Sequence, residues 1–209
     1  MLISDQKKFI FVHISKTAGT SIRAALEPYS IKSPSGKWHS LLRRFDLPKN
    51  YSNYKFSRHA FLSEASEKMP NNLYQTYFKF AVVRNPWDRL VSSYHSHHGL
   101  KKELNPNRKY KEAVSFHEHL ERQHRRKNFQ LSRITNVDGD IDLDFMLRFE
   151  QLASDVEQLA EKLDLDISLP HRNHSFRKKA AYQDYYDQNS KNFVAKYWAD
   201  EIDLLGYQF

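Results

Sequence analysis

Lys16 stands in the stretch "HISKTAGTSI", followed by Thr17, Ala18, Gly19, Thr20 and Ser21. A cation beside small and hydroxylated residues suits the holding of a phosphate. The run before it, "FIFVHI", reads as a buried strand, and the run after it as a helix. A loop between the two offers unpaired backbone N–H groups and the positive end of the helix dipole, to which the lysine adds a full charge. The same residues also suit an ordinary strand-to-helix turn with an exposed lysine. A kinase-type P-loop ending on Lys16 and Thr17 requires glycines at positions 10 and 15, where Ile10 and Ser15 stand. The turn is too short to wrap a triphosphate and fits a smaller 5′ phosphate group.

A second constellation is "VVRNPWDRLVSSY". It puts Arg84 at the end of an apolar run and Ser92 on the segment after it, where a guanidinium fork and a hydroxyl can clamp a second phosphate. A capped helix with an amphipathic face is the plain alternative for this pair alone. Two anion sites at the carboxyl ends of two parallel strands suit a nucleotide phosphorylated at two separated positions.

These residues need a scaffold of alternating strands and helices. Lys8 to Ile14 is expected as the first strand and Gly19 to Leu26 as the first helix. Pro28 to Asn53 reads as loop around a short helix near Trp38 to Phe45. Tyr54 to Ser57 fits a short strand, and Leu62 to Lys68 a helix stopped by Pro70. "YFKFAVVR", Tyr77 to Arg84, is almost continuously apolar, as a central strand covered on both faces should be. The helix after it starts at Pro86 with Asn85 as N-cap. Gly99 to Lys109 is polar. A histidine-rich helix follows, then "DLDFMLRFE" as a strand, a helix from Gln151 to Leu163, and a last helix from Asn189 to Leu205. The expected fold is α/β: a P-loop-like three-layer arrangement with a central parallel sheet flanked by helices, and helical additions in the C-terminal half.

Composition narrows the partners. The 209 residues suggest a single domain, 40% hydrophobic and 28% charged. The first residues are too weakly apolar for a signal peptide or a membrane span, so a cytoplasmic location is expected. With no cysteine, disulfides, thiolate catalysis and cysteine-ligated zinc are excluded. A net charge of +8 points to an anionic partner: a nucleotide, an acidic glycan, nucleic acid or a membrane surface.

At this point the motifs are recognisable. "HISKTAGTSI" resembles the 5′-phosphosulfate loop, and "FAVVRNPWDRLVSSYH" the 3′-phosphate motif, of the carbohydrate sulfotransferases related to chondroitin 4-O- and heparan sulfate 2-O-sulfotransferases. "SRHAF", "LRFEQL", "SLPHRNHS", "YQDYY" and the ending "DLLGYQF" extend the likeness along most of the chain. Ser15 departs from the family pattern, which has proline before the lysine, and should loosen the turn. The resemblance implies 3′-phosphoadenosine 5′-phosphosulfate as co-substrate and transfer of its sulfuryl group to a hydroxyl of a carbohydrate or glycoconjugate acceptor, with no nucleic acid partner. It assigns donor binding to Lys16, Thr17, Ala18, Gly19, Thr20 and Ser21 at one end and to Arg84 and Ser92 at the other. Arg177, in "RKK", is a candidate to close over the 3′ phosphate. Lys16 would stabilise charge growing on the leaving bridging oxygen. A sulfuryl group carries less negative charge than a phosphoryl group, so no metal is expected. Two other classes stay open: a noncatalytic anion-binding module on the same fold, and a P-loop-type kinase.

The acceptor hydroxyl needs a general base. His59, in "SRHAF" between the two motifs, is the candidate, because it resembles the family's histidine at that place in the order. His13 reads as structural. His95, His97, His98, His117 and His119 are spaced two apart or adjacent, so one helical face cannot gather them around a metal. They are expected to form a polar surface near the acceptor. Trp87, Tyr182, Tyr185 and Tyr186 are candidates to stack on adenine or sugar rings.

Overall fold

In the computed structural model, residues 1–30, 56–97, 114–167 and 181–209 are described. The expected helix near Trp38 to Phe45, Tyr54 of the expected short strand, the polar stretch from Gly99 to Lys109, His98 and Arg177 lie outside them. The chain divides into two compact units: Met1–Val82 with Leu131–Asn173, and Val83–Gln130 with His174–Phe209.

The first unit is built on a sheet with strand order β1 (Leu2–Ser4), β2 (Phe9–Val12), β3 (Phe78–Val83) and β4 (Phe145–Arg148). β2 and β3 are parallel, with Phe9 opposite Phe78 and Phe11 opposite Phe80. The expected central parallel sheet is present, and β1 adds to it antiparallel beside β2, with Leu2 opposite Phe11. All four residues of β2 are fully buried. That is why both faces read as apolar in the sequence.

Alternation along each strand decides what covers it. Phe9, Phe11, Phe80, Val82 and Leu147 point to one face, where they pack with Ile22 and Leu26 of α1 (Gly19–Leu26). Val156 and Leu159 of the later helix Leu152–Leu163 close the same cluster. The rings of Phe9 and Phe11 lie 5.5 and 5.3 Å from that of Phe80. On the other face Lys79 is buried, its ammonium 5.2 Å from the ring centre of Tyr74 and 3.6 Å from both Asp142 and Asp144. Tyr74 belongs to α3 (Asn71–Thr76), which follows α2 (Leu62–Lys68). Helices therefore flank the sheet on both faces. Residues 56–57 are not in a strand.

The second unit is helical. α4 (Pro86–His97) begins where expected: the Asn85 carboxamide oxygen accepts from the amides of Trp87 and Asp88 at 3.0 and 3.4 Å. Ser115 caps α5 (Phe116–Arg125) by accepting from the Glu118 amide at 3.1 Å. The short α6 (Leu131–Ile134) and α7 (Leu152–Leu163) belong to the first unit. The expected last helix is two, α8 (Gln188–Tyr197) and α9 (Ala199–Leu205). The break falls at Trp198, whose indole is buried 5.4 Å from the ring of Phe129. Trp87, Leu90, Leu120, Val194 and Trp198 form this unit's core. No helix among the described residues is long and apolar enough to cross a membrane.

Phe80 touches three other rings of the sheet. Phe80→Ala should lower unfolding stability by about 3–5 kcal/mol in urea denaturation, the cost of truncating a fully buried phenylalanine.

Candidate functional site

The candidate phosphate turn follows β2 directly. Lys16 and Ala18 both take the left-handed conformation, with φ of 71° and 63°. Each costs about 1–2 kcal/mol for a residue with a side chain, so tertiary packing must hold them there. One hold is Thr17, fully buried, whose hydroxyl donates to the Ile14 carbonyl at 3.1 Å. The Thr17 hydroxyl thus staples the loop. Ser21 is buried on the inner side of α1, and Thr20 is exposed.

A bend of this kind turns successive backbone N–H groups to one side and makes an anion-binding concavity. Among the described residues, the amides of Thr17, Ala18, Gly19 and Thr20 donate to no protein acceptor. Ala18, the N-cap of α1, supplies no side-chain cap. The start of the helix thus keeps its donors and its positive dipole end for a ligand.

Gly19 is required by a neighbour. A Cβ there would stand 2.0 Å from Cδ2 and 2.3 Å from Nε2 of the His13 ring. His13 is buried, with its ring 6.0 Å from that of Phe11 and 4.6 Å from that of His59. Burial, followed by the proximity of His59, lowers the His13 pKa to about 3. It is neutral at any ordinary pH, which makes it a poor acid or base and agrees with a structural reading.

His59 is held differently. Its Nδ1 lies 3.0 Å from the carbonyl oxygen of His13. A carbonyl can only accept, so Nδ1 carries the hydrogen and the Nε2 lone pair is left to take a proton. Burial is the first cause that holds the pKa of His59 below its ordinary value, the charge of Arg133 adds to it, and the bond to His13 opposes it. Arg133 of α6 donates through Nη1 to the His59 carbonyl and lies 3.9 Å over the ring of Phe61. Lys16 to Ser21 and His59 are thus linked through one residue, His13.

The second unit holds Arg84 and Ser92. Arg84 is buried, and Asp88 receives its Nε at 2.7 Å and its Nη2 at 2.6 Å. Its main chain is held by Gln130, whose Oε1 accepts from the Arg84 amide at 2.9 Å while Nε2 donates to the Arg84 carbonyl at 2.8 Å. Arg84, Asp88 and Ser92 recur every four residues, so they follow one side of the helix. Ser92 is half-buried.

Several other expectations change. His95 and His119 are buried in the helical unit and do not form a surface. His117 is half-exposed, 3.9 Å from Glu121. Trp87 is buried edge-on against Phe209 at 5.5 Å, and its carbonyl accepts from the Tyr186 hydroxyl at 3.0 Å, so both residues are packed into the core. Burial pushes the Tyr186 phenol up. No group of three or more metal-ligating side chains occurs among the described residues. Sequence reasoning missed Arg133, Gln130 and Glu201, which act across long separations; Asp88, one turn after Arg84, was visible as a helical ion-pair position.

Compared with known families, residues 1–208 match the sulfotransferase family, family 2. No curated protein matches the chain.

Gly19→Ala should be destabilising by about 1–3 kcal/mol, the range for overpacking a filled site. Adding His13→Ser should relieve the clash, so that thermal denaturation of the pair shows less loss than the two single changes summed. Strict additivity would mean that the ring does not confine Gly19.

Proposed function

The chain belongs to the sulfotransferase family, and from that premise we propose that it transfers a sulfuryl group from 3′-phosphoadenosine 5′-phosphosulfate to a hydroxyl of a carbohydrate or glycoconjugate acceptor. The observation that carries the reading is the turn from Lys16 to Thr20, with Lys16 and Ala18 left-handed and the amides of Thr17, Ala18, Gly19 and Thr20 donating to no acceptor among the described residues. The donor supplies an activated sulfuryl group; binding, orientation and proton removal fall to the protein. The amides of Thr17, Ala18, Gly19 and Thr20 hold the phosphosulfate end. Lys16 offsets the charge that grows as the 5′ phosphate leaves. Arg84 and Ser92 hold the 3′ phosphate, with Arg84 oriented by Asp88. Arg177 joins them on its place in the sequence, in the basic run that follows "LPHRNHS".

His59 is the base. Its hydrogen-bonded Nδ1 fixes the tautomer, and its depressed pKa keeps Nε2 unprotonated near neutrality. Nε2 takes the acceptor hydroxyl's proton as the new oxygen–sulfur bond forms and the bond to the bridging oxygen breaks. A carbohydrate acceptor is supported by the family resemblance, and an acidic one by the net charge of +8.

The test is turnover of labelled donor to 3′,5′-adenosine bisphosphate with a panel of glycans and small alcohols. Lys16→Ala should lower turnover about 100- to 1,000-fold, as loss of a transition-state donor does. Its affinity for 3′,5′-adenosine bisphosphate should change little. Wild-type turnover in that variant would remove Lys16 from the chemistry, and a protein that binds donor without turning it over with any acceptor would be an anion-binding module.

The rate should rise with pH as His59 loses its proton. Because the folded protein holds that pKa below the ordinary imidazole value of 6.5, the acidic limb should be centred below 6.5. His59→Ala should lose this limb together with most of the turnover, and still bind 3′,5′-adenosine bisphosphate. An unchanged pH profile in the variant would assign the base elsewhere.

A further inference from the structure

Arg84 follows directly on the last residue of β3, and the chain just past a strand end has main-chain groups that need partners. The Gln130 carboxamide takes both, as an adjacent strand would. Gln130 is itself fully buried and is held by one residue: Glu201 of α9 accepts from the Gln130 main-chain amide through Oε2 and from its Nε2 through Oε1, the latter at 2.7 Å. Glu201 is 1% exposed and lies 3.7 Å from Nη2 of the equally buried Arg89. Arg89 in turn donates to the Asn128 carbonyl at 2.6 Å. All of these residues belong to the second unit.

Burying a carboxylate is expensive, and well-packed apolar side chains of similar volume would give equal or greater stability. What apolar side chains cannot do is fix a main chain by two directed bonds. We propose that Gln130 and Glu201 are positioning residues for nucleotide recognition: together they clamp the backbone of Arg84 so that its guanidinium, already oriented by Asp88, is preorganised for the 3′ phosphate. The inference rests on the assignment of Arg84 to that phosphate. It makes the C-terminal helix α9 part of the recognition of the donor.

Charge and hydrogen-bond polarity give a test at nearly constant shape. In Gln130→Glu, a carboxylate oxygen faces both the Glu201 carboxylate and the Arg84 carbonyl. In Glu201→Gln, an NH2 group faces a donor of Gln130. In the double variant, the carboxamide introduced at position 201 can donate to the new carboxylate, and its oxygen can accept from the main-chain amide at position 130, so complementarity returns between these two positions. Calorimetry would measure affinity for 3′,5′-adenosine bisphosphate and for AMP in each protein. Each single variant should lose about tenfold in its preference for the bisphosphate, equivalent to weakening one charge-assisted contact, with AMP affinity unchanged. The double variant should recover part of it.

A wild type that binds AMP and the bisphosphate equally would overturn the Arg84 assignment itself. A wild type with the preference, and single variants that keep it in full, would leave that assignment standing and sink the positioning role. The wild type also supplies a reading that needs no variant to fold: exchange of the Gln130 side-chain amide, followed by NMR, should slow when the bisphosphate binds and not when AMP binds. Equal slowing by both nucleotides would count against the clamp.

Discussion

The His13 ring lies against the Cα of Gly19, at a distance that leaves no room for a side chain. Three parts of the first unit meet at that contact. The ring continues the aromatic layer of β2 through Phe11, so the hydrophobic core determines where it sits. Its edge sets how closely α1 approaches the strand, and therefore where the left-handed turn at Lys16 and Ala18 opens. Its main-chain carbonyl orients His59. The turn proposed to hold phosphate and the histidine proposed as proton acceptor are thus referred to one buried side chain, which burial keeps neutral.

That neutrality carries a stability cost in acid. The unfolded chain's histidine takes a proton near its ordinary value of 6.5, whereas the folded one resists to about 3. The folded-state pKa is depressed, so this stability is fully present above 6.5 and is lost progressively as pH falls toward 3.

In the second unit, the cations of the stretch "VVRNPWDRLVSSY" are buried beside carboxylates: Arg84 with Asp88, Arg89 with Glu201. Pairing makes burial tolerable. It also means that, if Arg84 holds the proposed 3′ phosphate, direction more than surplus charge must select it, since the fork already shares two nitrogens with Asp88. The chain's excess positive charge of +8 is then available for a longer-range attraction of anionic partners.

Local chemistry was legible in the sequence wherever a few neighbouring residues decide the outcome. Gly19 to Leu26 and Leu62 to Lys68 are helices with the expected bounds, and Asn85 caps the helix that Pro86 opens. The continuous apolar run of β3 announced a strand covered on both faces. The three-residue β1 did not, because its strand conformation comes from pairing with β2. Nor did the break at Trp198, which follows the burial of its indole, or the burial of His95 and His119, whose spacing looked like that of a surface. The residue types that led to the proposal of a phosphate turn at Lys16 and a base at His59 were likewise legible in the sequence alone. Only tertiary structure decided that the Thr17 hydroxyl staples the loop, that the His13 carbonyl sets the tautomer of His59, and that Gln130 and Glu201 hold Arg84. The physical reason is distance along the chain: His13 and His59 are 46 positions apart, and Gln130 and Glu201 71. Contacts over such separations leave no local periodicity, and folding is what brings their donors and acceptors into line.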